Sequence, residues 1–123
     1  VVNITNIIPI NAAMWDKDGE MNLSIGTKSI NHSLVKDWKR GTQNVRTMTW
    51  DTLVKGIGKI KLANIDIEGA EIQMLNGMTR NLPQFIILER HEFFGLKPED
   101  ILKPLIEKGY SLDNQDIYTY AHL

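Results

Sequence analysis

The sequence predicts an α/β fold with a mixed sheet, its central strands parallel and its last two strands an antiparallel hairpin. Three observations carry this. In residues 59–77 the apolar run Ile60, Leu62, Ala63, Ile65 and Ile67 reads as a strand buried on both faces. Asp66, Glu68 and Gly69 interrupt it, and Ala70, Met74 and Met78 with Ile72 and Leu75 then recur at spacings of three and four, as in an amphipathic helix. A second apolar run, residues 85–88, ends in Glu89-Arg90-His91-Glu92. Finally, residues 110–112 and 117–120 flank an Asp113-Asn114 turn and read as a closing hairpin.

Composition sets the limits of the reading. With 123 residues the chain holds about one domain, residues 1–123, and a modest core. A hydrophobic content of 42% and a charged content of 24% are ordinary for a soluble globular protein and suggest neither disorder nor fibre. The net charge of −1 offers no electrostatic footprint for nucleic acid, and no apolar run approaches the roughly 20 residues of a membrane span. The chain contains no cysteine, so disulfides and thiolate zinc sites are ruled out. That is consistent with a reducing compartment, and a cytoplasmic location is expected.

Taken in order, residues 7–11 read as a first strand, with Pro9 placing it at a sheet edge or a strand end. Asp16-Lys17-Asp18-Gly19 is a turn signal between Met14-Trp15 and the alternating Met21, Leu23 and Ile25, which predicts a hairpin. Ile30, Leu34, Val35 and Trp38 recur at helical spacing, with Ser33 as a cap and Gly41 past the end. Residues 41–44 read as loop and 45–49 as a short strand. Thr49 then caps a brief helix through Trp50, Leu53 and Val54. Beyond the second apolar run, Pro98 suits the first turn of a helix carrying Ile101, Leu102, Leu105 and Ile106, and Pro104 should kink or split it.

Strand, helix, strand in this order implies a parallel pair with a right-handed crossover, which brings both carboxyl ends to one rim. Asp66 and Glu68 on one strand, and Glu89 and His91 on the other, occupy alternate positions and should converge. Three carboxylates and an imidazole can perform general acid/base chemistry, hold a hard divalent cation, or serve structure alone. Glu71 is read first as a first-turn acid complementing the helix dipole. Asp66 ends a strand expected to be buried, where a charge is costly without a partner. His32 and His122 read as surface residues, and the scattered methionines and tryptophans as packing.

The segment 64–71, Asn-Ile-Asp-Ile-Glu-Gly-Ala-Glu, with Leu75 and Gly77 after it and the strand Ile86-Ile87-Leu88-Glu89-Arg90-His91 beyond, resembles the signature of the FkbM family of S-adenosylmethionine-dependent methyltransferases. The similarity extends over most of the chain, through residues 11–19, 49–53 and Gly109-Tyr110. It departs from the family in two ways. Asn64 stands where the family usually has lysine, removing a cation beside the acids. The chain also has no glycine-rich turn of the kind that lets backbone approach the cofactor, and no ribose-binding acid after a second strand.

The resemblance therefore implies the carboxyl-terminal two-thirds of a Rossmann-like class I methyltransferase domain, without its first two strands. It implies methyl transfer from S-adenosylmethionine to an oxygen, namely a hydroxyl of a sugar or small metabolite. Asn11, Ala12 and Ala13 would lie by the adenine, and Asp66, Glu68, Glu89 and His91 would line the acceptor pocket, with His91 or Glu89 as base. No resident metal is implied. Weak or absent cofactor binding is expected, since the glycine-rich turn is missing, and whether this polypeptide is itself active stays open.

The gap left in the sheet should be closed in one of two ways. Either the strand nearest the amino terminus shifts to pair with the signature strand, or two chains pair across it as a homodimer. Two other functional classes stay in view: a non-catalytic interaction or oligomerisation module using the exposed strand edge, and a metal-dependent hydrolase with the same four site residues as ligands.

Overall fold

The structure, a computed structural model, describes residues 5–26, 32–92 and 95–123. Its elements are β1 (Ala13–Met14), β2 (Gly19–Ser24), β3 (Thr42–Met48), α1 (Trp50–Leu53), β4 (Leu62–Ile65), α2 (Glu71–Asn76), β5 (Phe85–Glu89), α3 (Pro98–Glu107), β6 (Ser111–Gln115) and β7 (Tyr118–His122). The chain is α/β, with parallel and antiparallel strands mixed within each sheet.

The strands form two sheets rather than one. The first has the order β1-β3-β2 and the second β4-β5-β7-β6. In the second, β4 runs parallel to β5, with Leu62 opposite Phe85 and Ile65 opposite Leu88. That register sets the carboxyl ends of both strands on one rim. β7 pairs antiparallel with β5, and β6 closes the sheet as the outer strand of the final hairpin. Its turn lies after Gln115, later than the Asp113-Asn114 turn expected, because Asp116 adopts a left-handed φ of 55° there.

One face of the second sheet makes the core. Ile86 and Leu88 of β5, Leu75 of α2 and Ile101 and Leu105 of α3 are fully buried, each contributing about 1.5–3 kcal/mol by leaving water. The opposite face is open among the described residues: β4 buries Ala63 and Ile65 but exposes Leu62 and Asn64, while Phe85, Tyr118 and Tyr120 are exposed on the neighbouring strands. This corrects the expectation of a strand covered on both sides. An apolar run does not by itself reveal whether a second layer packs on it.

The amino-terminal half departs further from the sequence reading. Residues 7–11 form no strand, and Ile7, Ile8 and Ile10 are exposed. No hairpin joins β1 to β2, because β3 inserts between them, parallel to β1 and antiparallel to β2. The Asp16–Gly19 turn instead serves α1: Asp18 accepts hydrogen bonds from the Thr49 amide at 2.8 Å and the Thr52 hydroxyl at 2.6 Å. Thr49 caps α1 as expected, accepting from the Thr52 amide. β3 begins at Thr42, so residues 42–44 are strand and not loop.

The helix expected around Ile30 to Trp38 is not formed over its described residues, and Ile30 lies outside them. Side chains take the amides a helix would use. Ser33 Oγ accepts from Val35 and Lys36, Ser24 Oγ from Trp38, and Asp37 from Lys39. By contrast, α3 runs unbroken through Pro104, whose ring is buried. Packing there outweighs the one helical hydrogen bond a proline forfeits.

Neither strand at the edges of the first sheet pairs with β4, so the expected shift of an amino-terminal strand onto the signature strand does not occur among the described residues. No helix among the described residues is long and apolar enough to cross a membrane.

Candidate active site

β4 and β5 end side by side, and the residues that follow them make the site. Directly after β4, Glu68 adopts a left-handed φ of 52° and Gly69 one of 102°. Two such residues in succession turn the chain sharply into α2, and at Glu68 the conformation is costly for a residue with a Cβ. A hydroxyl holds it there: Ser33 Oγ, fully buried, donates to the Glu68 carbonyl at 2.6 Å.

At the end of β5, Glu89 and, two residues on, His91 project to one side and Arg90 to the other. Arg90 donates its guanidinium to the carbonyls of Asp116 and Ile117, clamping the turn of the last hairpin. His91 meets the acids. Its Nε2 lies 3.6 Å from Glu68, 3.7 Å from Glu89 and 3.9 Å from Asp66. Its Nδ1 lies 2.7 Å from Glu71 Oε1, which also accepts the Gly69 amide at 3.0 Å. The structure thus brings Asp66, Glu68, Glu89 and His91 together, and it adds Glu71.

Glu71 is the residue the sequence reading placed in a structural role. Its side chain is only 1% exposed, and instead of facing solvent in the first helical turn it backs the imidazole. Hydrogen bonding to Glu71 holds the His91 pKa above the ordinary histidine value; burial opposes this, and the charges of Glu71, Glu68 and Glu89 reinforce it. Tyr118, opposite Glu89 on β7, also joins the rim. The charge of Glu89 and its hydrogen bond to the phenol raise the Tyr118 pKa.

A cleft of about 280 Å³ opens beside the acidic turn. Ala12, Ala13, Leu34 and Ile67 line it with Asp66 and Glu68. Ala12 and Ala13 therefore share a cavity with two of the acids, while Asn11 is exposed next to them and does not line it. His32, read from the sequence as a surface residue, lines this cleft too, its Nδ1 accepting the Gly26 amide. One ligand atom from each of Asp66, Glu89 and His91 lies within 4.8 Å of the others, close enough to hold a cation.

The FkbM methyltransferase domain model matches residues 8–112, the stretch that carries both strand ends, the acidic turn and the cleft. The chain belongs to the FkbM methyltransferase family. The hexuronic acid methyltransferase AglP of Haloferax volcanii is 28% identical to it over 111 residues, covering 87% of this chain and 45% of that protein. The chain thus spans about half the length of the curated relative it matches. No solved structure matches it.

Within this FkbM-family chain, the site residues the sequence missed were partly visible. Glu71 closes the Glu-Gly-Ala-Glu segment of the signature, two residues beyond the turn. Tyr118 and His32 carry no local motif, and only the tertiary arrangement assigns them to the rim and the cleft.

Proposed function

We propose that the chain is the acceptor-side part of an S-adenosylmethionine-dependent O-methyltransferase that methylates a hydroxyl of a sugar or small metabolite. The observation that carries this is the position of His91 Nε2, ringed by Asp66, Glu68 and Glu89 at 3.6 to 3.9 Å beside the cleft. An acceptor hydroxyl brought among these four groups would donate to Nε2. Family membership supports methyl transfer, and the sugar acid in the relative's name makes a sugar the first acceptor to test.

The cleft fits one end of the cofactor. Its apolar wall suits an adenine, which Ala12 and Ala13 would hold with Asn11 alongside, and its acidic side suits hydroxyls and positive charge. When bound, S-adenosylmethionine supplies an electrophilic methyl group. His91 takes the proton from the acceptor hydroxyl at Nε2 as that oxygen gains the methyl, and the carboxylates of Glu68, Glu89 and Asp66 stabilise the imidazolium that forms. Glu89, opposite Tyr118 on β7, is the alternative base.

No glycine-rich turn lies in the chain, so cofactor binding is expected to be weak. Isothermal titration with S-adenosylhomocysteine checks this, and tight saturable binding would contradict it. The reading as a whole is tested by offering neutral hexosides and uronic acids with methyl-labelled S-adenosylmethionine. Label on a hydroxyl oxygen, lost in His91→Gln, is the expected result, and no transfer to any acceptor sinks the proposal.

The exposed edge of β4 favours a second reading, an interaction module. A stable dimer indifferent to cofactor distinguishes it from the first.

A further inference from the structure

We infer that Glu71 is a positioning residue that fixes which ring nitrogen of His91 carries the proton, presenting Nε2 to the acceptor as the proton-accepting atom. This inference rests on the reading of His91 as the base.

The argument begins with burial. Glu71 is 1% exposed, and among the described residues the ion pair at its side chain is the one with His91. Its Oε1 already accepts the Gly69 amide at 3.0 Å, so that oxygen faces donors and not acceptors. The second group at that oxygen is His91 Nδ1 at 2.7 Å, a separation typical of a charge-assisted N–H···O bond. Nδ1 must then be the protonated nitrogen in the neutral ring, since a lone pair there would face a carboxylate in a dry site.

The three remaining carboxylates stand 3.6 to 3.9 Å from Nε2, so the short contact that assigns the proton is the one at Nδ1. One oxygen of Glu71 therefore links the backbone of the turn bearing Glu68 to the imidazole, coupling both halves of the rim. A neutral histidine without such an acceptor at Nδ1 is not held in this tautomer, and a base in the wrong tautomer cannot take a proton at Nε2.

The test is ring-nitrogen NMR on the full chain labelled with 15N-histidine, at a pH where His91 is neutral. Wild-type protein is expected to show Nδ1 protonated and Nε2 unprotonated. Glu71→Gln should retain that pattern, because the Gly69 amide keeps the side-chain oxygen turned toward both donors. Glu71→Met, which removes the acceptor, should shift the population toward the Nε2-protonated form. In a methyl-transfer assay Glu71→Met should lower kcat by about 10²-fold with KM little changed, and Glu71→Gln by less.

A wild-type spectrum with Nε2 protonated overturns the inference without any variant having to fold. An unchanged tautomer in Glu71→Met, or an unchanged kcat, does the same. If the tautomer is as stated and no acceptor is methylated, the methyl-transfer reading fails while the orienting contact stands.

Discussion

The Ser33 hydroxyl donates to the Glu68 carbonyl across 35 residues of sequence, and it joins the two sheets at the point where the acidic turn is most contorted. The same oxygen accepts the amides of Val35 and Lys36, and the Ser33 backbone exchanges hydrogen bonds with Ser24 at the end of β2. Ser33→Ala leaves a carbonyl and two amides short of partners in a buried place. The expected loss of stability is about 1–3 kcal/mol. Urea unfolding measures it, and a change within about 0.5 kcal/mol, the level of an ordinary surface substitution, would show that the hydroxyl is not holding the turn.

Gly77 marks a second junction. A Cβ built there would lie 2.9 Å from the Trp15 carbonyl and 3.1 Å from Asp16 Cα, both backbone atoms with little freedom to yield. Because φ at Gly77 is −77°, the conflict is steric and not conformational. Gly77→Ala should therefore destabilise by about 1–3 kcal/mol through overpacking. Gly58, where a Cβ meets nothing within 4 Å, is the control. Gly58→Ala should be neutral, or stabilising by up to about 1 kcal/mol through the unfolded chain. Thermal melts of the two variants giving equal shifts would contradict the assignment of Gly77 to this contact.

The contrast between the halves of the chain explains what the sequence could and could not disclose. In residues 59–123 local pattern and tertiary role agree for the core, though not for the open face of β4, the place of the last turn or the unbroken α3. Ile65, Ile86 and Leu88 alternate with the pleat, Leu75 and Met78 follow the helical period, and the polar residues cluster where the strands stop. The pairing of Asp66, Glu68, Glu89 and His91 followed from connection handedness alone. In residues 7–41 local pattern misleads. Ile7, Ile8 and Ile10 resemble a strand yet are exposed, and an apparent helical period at Leu34 and Trp38 loses to Ser33, Asp37 and Ser24 binding backbone amides. β3 separates β1 from β2, an insertion that no local turn signal encodes. Glu71 does stand in the first turn of α2, as its position suggests, but its buried bond to His91 is visible only in three dimensions.

Among the described residues β4 ends the second sheet with one edge unpaired, and it has neither a proline nor a charged residue within its four residues, Leu-Ala-Asn-Ile. Natural sheet edges are usually guarded by such devices. If two chains pair through this edge, sedimentation velocity should show a concentration-dependent dimer, and Leu62→Lys should return it to monomer with little effect on folding, since Leu62 is 53% exposed. A monomer at every concentration would exclude pairing of two copies and with it the self-association form of the second functional reading.

The environment of His91 makes a signed prediction for stability against pH. Its folded pKa is raised above the ordinary value of 6.5, first by the Glu71 hydrogen bond, against the opposing effect of burial, and then by the surrounding carboxylates. The native state therefore binds more protons than the unfolded one between these two values, so stability falls as pH rises through that window. The contribution is complete below the unfolded value and gone above the folded one. His91→Gln cannot titrate there, so the gap between wild type and variant in urea midpoint should be widest and flat on the acid side of about 6.5 and should narrow as pH rises past the folded pKa. A gap that widens with rising pH would mean that the folded protein prefers the neutral ring, and the acids around Nε2 would then not be acting as a cradle for positive charge.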